Sequence, residues 1–277
     1  MSDPRTADQI RQHYDIEKEL ASRLRNAPRG ERRHLYTEVY DELFRRVPLH
    51  PQLQQKASPE DRRRVVQRKM RLLGRYIEPG VRFMELGPGD CALAVHVAAT
   101  AARVAAVDVS PGITAGLESP PNFELFISDG ASVPVPPGSV DVAFSDQLME
   151  HLHPDDAREQ LQGVFAALAP GGAYVCITPN RLAGPHDVSQ YFDAEATGLH
   201  LQEYTIAALV GLFRAVGFRD FHLYAGGKGW YVRFPLGIAL AKEWLLARLP
   251  RPMRHRLGRF LPMRALLGIN LVGFKPR

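Results

Sequence analysis

Three carboxylates stand at the carboxyl ends of three short apolar runs. Glu85, Asp108 and Asp129 each close or follow such a run, and each run has the length and composition of a buried strand. The runs are 81–86, 103–107 and 123–127. Because the carboxyl ends of parallel strands meet at one edge of a sheet, the three acids are placed to face one ligand. They favour a cationic ligand without phosphates, and an acid after the second strand is placed to accept from both hydroxyls of a ribose.

A glycine turn follows the first of these runs. Gly87, Pro88 and Gly89 force a tight turn, because glycine tolerates positive φ and lets a ligand approach the backbone closely. Asp90 is placed to cap a helix predicted over 91–99, where the residues are mostly small and apolar. A strand, a glycine turn and a helix N-terminus form a recurring cradle for nucleotides.

The same turn also fits a dinucleotide fingerprint. Residues 87–92 match the pattern G-x-G-x-x-A, which is typical of nicotinamide-dinucleotide sites. Glu85 argues against this alternative, because a carboxylate two residues before the first glycine would not stabilise a pyrophosphate, which is also an anion. The acids at the next two strand ends also favour a cationic ligand over a dinucleotide.

The stretch 84–90, MELGPGD, resembles the nucleotide-binding motif of class I S-adenosylmethionine-dependent methyltransferases. The resemblance implies that Glu85 reads the cationic end of the cofactor, directly or through water, and that Asp129 meets the exocyclic amine of adenine. It continues at 145–152, which looks like the segment that lines the sulfonium and the substrate mouth, and at 169–172, a turn characteristic of the family. The predicted cofactor-binding residues are Glu85, Gly87, Pro88, Gly89, Asp108, Val109, Asp129, Gly130, Asp146 and Gln147.

The remaining pattern predicts an α/β fold with a Rossmann-like, doubly wound, seven-stranded sheet. Later strands are predicted over 139–144, 173–178, 218–224 and 267–274, and helices over 154–168 and 205–216. The last strand is expected to return antiparallel beside the one before it. N-terminal helices are predicted over 10–24, 31–47 and 59–77.

The chain therefore divides into three parts. They are an N-terminal helical extension or lid (1–80), a cofactor-binding core (81–224), and a basic helical insertion with the last strand (225–277). In related methyltransferases such N-terminal helices cover the active site and also dimerise, so the resemblance leaves both a lid and a homodimer interface open.

Six residues are candidates for general-base chemistry, and we retain four of them. The six are His151, His153, His186, Asp187, Tyr191 and His200; the four exclude His153 and Tyr191. Methyl transfer from a sulfonium is an in-line displacement in which positioning does most of the work. An oxygen or nitrogen acceptor must also lose a proton, and a base with a pKa near neutrality suits that task. His151 follows the fourth predicted strand, His186 and Asp187 lie in the loop after the fifth, and His200 lies near a helix start. A structural role stays open for the histidines.

Charge is distributed unevenly along the chain, whose 277 residues carry a net charge of +5. Residues 225–277 hold eleven lysines and arginines and one acid, whereas 81–224 hold six bases and seventeen acids. An acidic core suits a cationic cofactor. Within 229–264, apolar and aromatic residues are interleaved with arginines, which is typical of a segment at a membrane surface. A lid packed over the substrate site is the alternative, and nucleic acid is a weaker one.

The cysteines and the N-terminal residues indicate the cellular compartment in which the protein is expected. Cys91 and Cys176 fall in predicted buried elements, so we interpret them as small apolar residues in a reducing compartment and not as a disulfide or a metal pair. The N-terminus is charged from Asp3 onward, and no apolar run approaches the ~18 residues of a membrane span. We expect a cytoplasmic protein without a metal, with peripheral membrane contact through 229–264 as an alternative.

Two functional hypotheses follow from these patterns. The first is an S-adenosylmethionine-dependent methyltransferase that acts on a small-molecule, saccharide or lipid-linked acceptor, with oxygen as the expected atom. The segments 178–187 and 200–204 are similar to bacterial methyltransferases of saccharide and secondary-metabolite pathways. The second is a noncatalytic protein that binds the cofactor as a structural or regulatory ligand at a membrane or in a complex.

Overall fold

The computed structural model describes residues 5–54, 58–110, 118–227, 229–260 and 265–277. Its strands are β1 (Arg82–Leu86), β2 (Arg103–Asp108), β3 (Phe123–Ile127), β4 (Val140–Asp146), β5 (Leu168–Thr178), β6 (Arg219–Gly227), β7 (Trp230–Phe234) and β8 (Ile269–Phe274). Its helices are α1 (Ala7–Asn26), α2 (Arg29–Arg46), α3 (Pro51–Gln54), α4 (Pro59–Leu73), α5 (Ala92–Ala98), α6 (Pro154–Ala167), α7 (Ile206–Val216), α8 (Leu236–Ala247) and α9 (Arg251–Arg259). In these ranges no helix has both the length and the apolar character to cross a membrane.

The strands form one mixed sheet with the order β3-β2-β1-β4-β5-β8-β6-β7. The first five strands run parallel, β8 runs antiparallel to both β5 and β6, and β7 runs antiparallel to β6. The order reverses between β1 and β4, so the loops after these two strands diverge and leave a crevice at the carboxyl edge of the sheet. The doubly wound α/β fold and the antiparallel last strand are confirmed.

Within the described ranges the sheet has eight strands, so the prediction of seven was wrong. The additional strand is β7, which forms a hairpin with β6 and pairs Trp230 with Gly227. The signals were present in the sequence, because 230–234 is rich in aromatic and β-branched residues and has glycines just before it. Gly226 and Gly229 have φ values of 136° and 88°. The surrounding basic residues favoured a helical insertion and obscured this hairpin.

Alternate residues of each strand pack against helices on opposite faces of the sheet. Met84 belongs to the apolar cluster that includes α1, α2, α6 and α7, whereas Phe83 belongs to the cluster that includes α4 and α5. Glu85 therefore faces the same side as Phe83, towards α4. On the other side, the Tyr174 ring of β5 stacks on Phe213 of α7 with ring centroids 5.4 Å apart.

A buried ion pair joins α2 to the start of α6. The Arg32 guanidinium donates to both carboxylate oxygens of Asp156, from Nε to Oδ2 at 2.7 Å and from Nη2 to Oδ1 at 2.8 Å. The Tyr36 hydroxyl donates to Asp156 Oδ2 at 2.8 Å and accepts from the His153 N–H at 2.9 Å. Arg32 and Asp156 are both buried, so this cluster fixes the position of α2.

We expect Asp156→Asn to lower the free energy of unfolding by about 3–5 kcal/mol, because it removes the buried carboxylate that accepts two hydrogen bonds from Arg32. The exposed Asp155, 3.8 Å from Arg32 Nη2, does not replace these hydrogen bonds. Burial raises the pKa of Asp156, but the hydrogen bonds from Arg32 and Tyr36 outweigh burial and lower the pKa below its usual value. The contribution of Asp156 is therefore present above about pH 4 and is lost as the pH falls through the lowered pKa. Urea unfolding at neutral and acidic pH measures both effects.

Asp155→Asn is the matched control, since Asp155 lies in the same turn of α6 and its side chain is 76% exposed. We expect it to change the free energy of unfolding by less than about 1 kcal/mol. Equal losses in the two variants would contradict the anchoring role of Asp156.

Candidate functional site

A cleft of about 1030 Å³ opens at the carboxyl edge of the sheet, where the strand order reverses. The segments that follow β1, β2 and β4 line it, together with residues of α2, α4 and β7. Its lining within the described ranges includes Gly87, Pro88, Gly89, Asp108, Val109, Gly130, Asp146, Gln147, His151 and His186. Most of the predicted cofactor-binding residues and two of the predicted catalytic residues therefore lie together. Glu85, Asp129, Asp187 and His200 lie outside this lining.

The glycine turn brings backbone to the surface of the cleft. Gly87 and Gly89 both have a φ of 62°, in the left-handed region that glycine adopts without strain. A Cβ atom at Gly87 would lie 3.1 Å from Leu148 Cδ1, and Leu148 also lines the cleft. A larger residue at Gly87 would therefore strain the backbone and displace Leu148.

The loop after β2 lies against α2. Asp108 Oδ1 accepts from the Ser110 N–H at 3.1 Å, which orients the carboxylate at the start of the loop. The Thr37 hydroxyl of α2 donates to the Val109 carbonyl at 3.1 Å. Thr37 and Tyr40 line the cleft, so α2 supplies a wall opposite the strand ends.

Asp129 directs its carboxylate into its own loop. Its Oδ1 accepts from the N–H groups of Ser132 at 2.7 Å and Ala131 at 3.1 Å, and its Oδ2 lies 3.1 Å from Arg33 Nη1. Burial raises the pKa of Asp129, but the hydrogen bonds within this loop lower the pKa below its usual value. These contacts occupy the carboxylate, so Asp129 shapes the turn that presents Gly130.

Gly130 is covered by the aromatic ring of Tyr36. Its φ is 91°, and a Cβ atom at this position would overlap the Tyr36 ring. The Gly130 carbonyl accepts from Gln160 Nε2 at 2.9 Å. The close approach requires glycine here and places the start of the post-β3 loop directly under α2.

A lysine that the sequence analysis missed lies among the acids. Lys69 of α4 lines the cleft, and its Nζ is 3.3 Å from Asp146 Oδ2. Burial lowers the pKa of Lys69, but the charges of Asp146 and Glu85 raise the pKa above its usual value. Glu85 Oε2 is buried without a hydrogen-bond partner among the described residues. Burial raises the pKa of Glu85 to about 7, although the charge of Lys69 opposes this shift.

Gln147 holds a strained conformation just after β4. Its φ is 56°, a value that costs a non-glycine residue about 1–3 kcal/mol and persists only where the surroundings impose it. The Gln147 N–H donates to the Ile177 carbonyl of β5 at 2.8 Å, which holds the segment at the cleft edge.

Glu203, also missed by the sequence analysis, joins two of the predicted catalytic histidines. Its Oε1 accepts from His200 Nδ1 at 2.8 Å and from the His186 N–H at 2.7 Å, and its Oε2 lies 3.3 Å from His186 Nδ1. Burial raises the pKa of Glu203, but the two histidines lower the pKa to about 2. The ionised Glu203 therefore orients the His186 ring through Nδ1. The second ring nitrogen, Nε2, is not engaged by Glu203, and the ring lines the cleft.

His200 is buried behind the cleft and holds a proton. Burial lowers its pKa, but Glu203, Glu150 and Asp187 together raise the pKa to about 9. An imidazole that is already protonated at neutral pH does not accept a proton from a substrate, so this environment favours a structural role. Asp187 also has an internal role, because its Oδ1 accepts from the Ser189 N–H at 3.0 Å.

His151 lines the cleft as a neutral ring. Its Nδ1 is 3.1 Å from the Leu199 carbonyl, which selects the tautomer with the proton on Nδ1. Burial, with the charge of His200, lowers the pKa of His151 to about 3. His151 is therefore a weaker base than its place in the cleft suggested. The adjacent Glu150 is fully buried, and burial raises its pKa to about 7.

A family model and a curated protein match this chain in sequence. A family model described as a methyltransferase domain matches residues 59–223. A probable S-adenosylmethionine-dependent methyltransferase of Mycolicibacterium smegmatis is 30% identical over 136 residues, which are 49% of this chain and 51% of that protein. The chain thus spans about half the length of the curated relative that it matches.

Solved structures share the fold at low sequence identity. Phosphoethanolamine N-methyltransferase 1 of Haemonchus contortus, in complex with phosphoethanolamine and S-adenosylhomocysteine, superposes with a TM-score of 0.58 at 16% identity, covering 91% of this chain and 50% of that chain. A chain of the complex between the Haloferax volcanii Trm112 methyltransferase activator and a presumed methyltransferase gives a TM-score of 0.54 at 17% identity, covering 78% of this chain and 91% of that chain. At these identities the likeness shows the fold alone.

Proposed function

This chain belongs to the methyltransferase-domain family, and we propose that it transfers the methyl group of S-adenosylmethionine to an oxygen atom of a lipid-linked acceptor such as a lipid-linked saccharide. The observation that carries the proposal is the composition of one cleft. Its lining joins the glycine turn after β1, the acid after β2 and a histidine held by a buried carboxylate. Each of these has a separate task in methyl transfer.

The residues around the cleft fit a cationic cofactor without phosphates. Asp108 and Asp146 line the cleft, and Glu85 Oε2 has no hydrogen-bond partner among the residues described. We assign Asp108 to the ribose hydroxyls and Lys69 to the carboxylate of the amino-acid portion. Glu85 lies behind the lining of the cleft, and we assign it to the ammonium group through water. When bound, S-adenosylmethionine supplies a methyl group activated by its sulfonium. The chain holds this group in place and excludes water with the wall that α2 provides.

We assign the role of general base to His186. Its ring lines the cleft, and Glu203 holds Nδ1, so Nε2 is the nitrogen available to take the proton of an acceptor hydroxyl. The ionised Glu203 also stabilises the imidazolium that forms when the proton arrives. His151 and His200 are less suited, because one has a strongly lowered pKa and the other already holds a proton.

The proposal of a lipid-linked acceptor rests on the exposed apolar surface of β7, α8 and α9. We call this surface the apolar patch; its exposed residues are Trp230, Val232, Ile238, Trp244, Leu245, Met253, Leu257 and Phe260. Trp230 lines the cleft and is 62% exposed, so one residue of the patch lies at the cleft itself. Exposed arginines lie just after α8 and in α9, which suits a surface with anionic lipid head groups. Residues 261–264, the end of the predicted membrane-contacting segment, lie outside the described ranges.

The inner face of α8 packs on the body of the protein. Ala239 and Leu246 are buried, and so is Glu243. Glu243 Oε1 accepts from the Ile206 N–H at 2.7 Å and from Asn180 Nδ2 at 2.7 Å. We therefore propose that α8 combines the two predicted roles, as a cover packed beside the site and as an outward membrane-contacting surface.

We also propose that the helical extension has two functions. α1 and α2 act as the lid, since α2 lines the cleft and Arg32 ties it to α6. α4 packs with α5 on the opposite face of the sheet and supplies Lys69 to the cleft, so it works with the core.

We expect Asp108→Ala to weaken binding of S-adenosylmethionine at least about tenfold, because hydrogen bonds to a charged acceptor contribute roughly 1.5–3 kcal/mol each. Isothermal titration calorimetry with S-adenosylmethionine, S-adenosylhomocysteine and NAD measures this. Glu124→Ala is the control, since Glu124 lies on the neighbouring β3 and pairs with the exposed Arg103. Unchanged affinity in Asp108→Ala would refute the ribose assignment, and binding of NAD alone would overturn the cofactor.

We expect His186→Ala to reduce turnover by about 10²-fold or more while the affinity for S-adenosylmethionine is retained, because it removes the base and not the cofactor site. Transfer of a labelled methyl group into a crude lipid extract measures turnover, and calorimetry measures affinity. His34→Ala serves as the control, since His34 is exposed on α2. An equal rate in His186→Ala and His34→Ala would rule out His186 as the base.

We expect the protein to float with anionic vesicles and not with neutral ones, and we expect Trp244→Ser with Leu245→Ser to reduce flotation because both side chains are about 60% exposed on the patch. Leu49→Ser is the control, since Leu49 is an exposed apolar residue outside the patch. If flotation is the same with both lipid compositions, or if the double variant floats like Leu49→Ser, the patch is not a lipid-binding surface.

A further inference from the structure

Three side chains at the acceptor end of the cleft converge on one point. Glu150, His151 and His200 each offer a ligand atom, and these atoms all lie within 4.8 Å of one another. Glu150 and His151 belong to the short 3-10 helix after β4, and His200 lies in the segment that leads to α7. Glu150 and His200 are buried, whereas His151 lines the cleft.

Both imidazole rings are oriented by a second partner. Nδ1 of His151 is 3.1 Å from the Leu199 carbonyl, and Nδ1 of His200 is 2.8 Å from Glu203 Oε1. The ring centroids lie 4.8 Å apart with an interplanar angle of 86°. Histidines that bind metals almost always donate their other ring N–H to a carbonyl or a carboxylate in this way, which directs Nε2 towards the cation. His200 is protonated at neutral pH, so a cation that binds its Nε2 displaces the proton from that nitrogen into solvent.

One oxygen of the cluster, and two buried phenol hydroxyls influenced by the charge of Glu150, have no hydrogen-bond partner among the described residues. Glu150 Oε2 accepts from the Thr178 hydroxyl at 2.9 Å, but Glu150 Oε1 is buried without a hydrogen-bond partner among the described residues. The hydroxyls of Tyr40 and Tyr204 are also buried without a hydrogen-bond partner among the described residues. Burial raises the pKa of both phenols, and the nearby charge of Glu150 raises it further. Buried polar atoms nearly always have partners in native proteins, so this group indicates a polar occupant.

We propose that Glu150, His151 and His200 bind one divalent transition-metal cation at the acceptor end of the cleft. Two imidazoles and one carboxylate suit Zn²⁺ and related cations, whereas Mg²⁺ prefers oxygen ligands. Three protein ligands leave a coordination position for water or for an acceptor oxygen. This last role rests on the proposed methyl transfer, whereas cation binding itself does not.

A second cluster provides an internal comparison. His13, Glu17 and His50 also bring ligand atoms within 4.8 Å of one another. Its acid is already satisfied, because Glu17 accepts from His13 Nε2 at 2.7 Å and from the Leu199 N–H at 3.2 Å. We therefore interpret this cluster as a hydrogen-bonded contact between α1 and the segment before α7, and we use it as the control.

Calorimetric titration of the chelator-treated full chain with ZnCl₂, and with MgCl₂ in parallel, tests the proposal. We expect one Zn²⁺ per chain with micromolar or tighter affinity and no comparable binding of Mg²⁺. Glu150→Gln should weaken Zn²⁺ binding at least about tenfold, and Glu203→Gln, which removes the partner of a ligand, by about 10–100-fold. Glu17→Gln should bind Zn²⁺ like the wild type. Absence of Zn²⁺ binding, or equal affinity in Glu150→Gln and the wild type, overturns the proposal.

A measurement on the wild-type chain guards against variants that fail to fold. Nitrogen-15 NMR of the imidazole rings during the Zn²⁺ titration should shift the signals of His151 and His200 and leave those of His13 and His50 in place. Shifts confined to His13 and His50 would assign the cation to the other cluster and overturn the proposal. Because neither readout involves methyl transfer, loss of transfer with intact Zn²⁺ binding would count against the proposed function alone.

Discussion

The buried pair of Arg32 and Asp156 is the contact on which the cleft depends. A doubly wound sheet leaves the carboxyl edge of its strands open, and the chain closes one side of this edge by holding α2 beside it. From that position Tyr36 covers Gly130 and Thr37 binds the loop after β2. Both charges are buried, so each is stabilised mainly by the other, and loss of either one would destabilise the position of α2 at the cleft.

Two buried carboxylate oxygens lack a hydrogen-bond partner in the described part of the chain, Glu85 Oε2 and Glu150 Oε1. Other buried acids are satisfied, such as Asp156 by a guanidinium, Glu203 by histidines and Glu243 by backbone N–H groups. Burial of a carboxylate oxygen without a hydrogen-bond partner lowers the free energy of unfolding, because the lost hydration is not replaced within the protein. In the proposals above, Glu85 serves the cofactor and Glu150 serves the cation, so each unsatisfied oxygen has an expected occupant nearby.

Local pattern predicted most of the sheet, because apolar runs bounded by glycines and acids define strands and their carboxyl ends. The same rule placed Asp108 and His186 in the cleft. Local pattern did not show that His186 lines the cleft whereas His200 and Asp187 do not. The direction of a loop side chain depends on its hydrogen-bond partners, which are distant in sequence or belong to another element. Lys69 gave no signal, because only the packing of α4 on the sheet separates it from the exposed basic residues around it.

Glu243 is the single acid of residues 225–277, and it is buried against the first turn of α7. The attachment of α8 thus depends on the inward carboxylate of Glu243, on Lys242, which donates to the Leu266 carbonyl and lies over the Phe234 ring, and on buried apolar residues such as Ala239 and Leu246. Exposed residues of α8 such as Trp244 and Leu245 take no part in these contacts with Glu243, so they can be replaced without removing this anchor. Under the proposed function, a replacement for the segment from α8 to α9 that retains Glu243 would change the surface offered to lipid and leave the cofactor site unchanged.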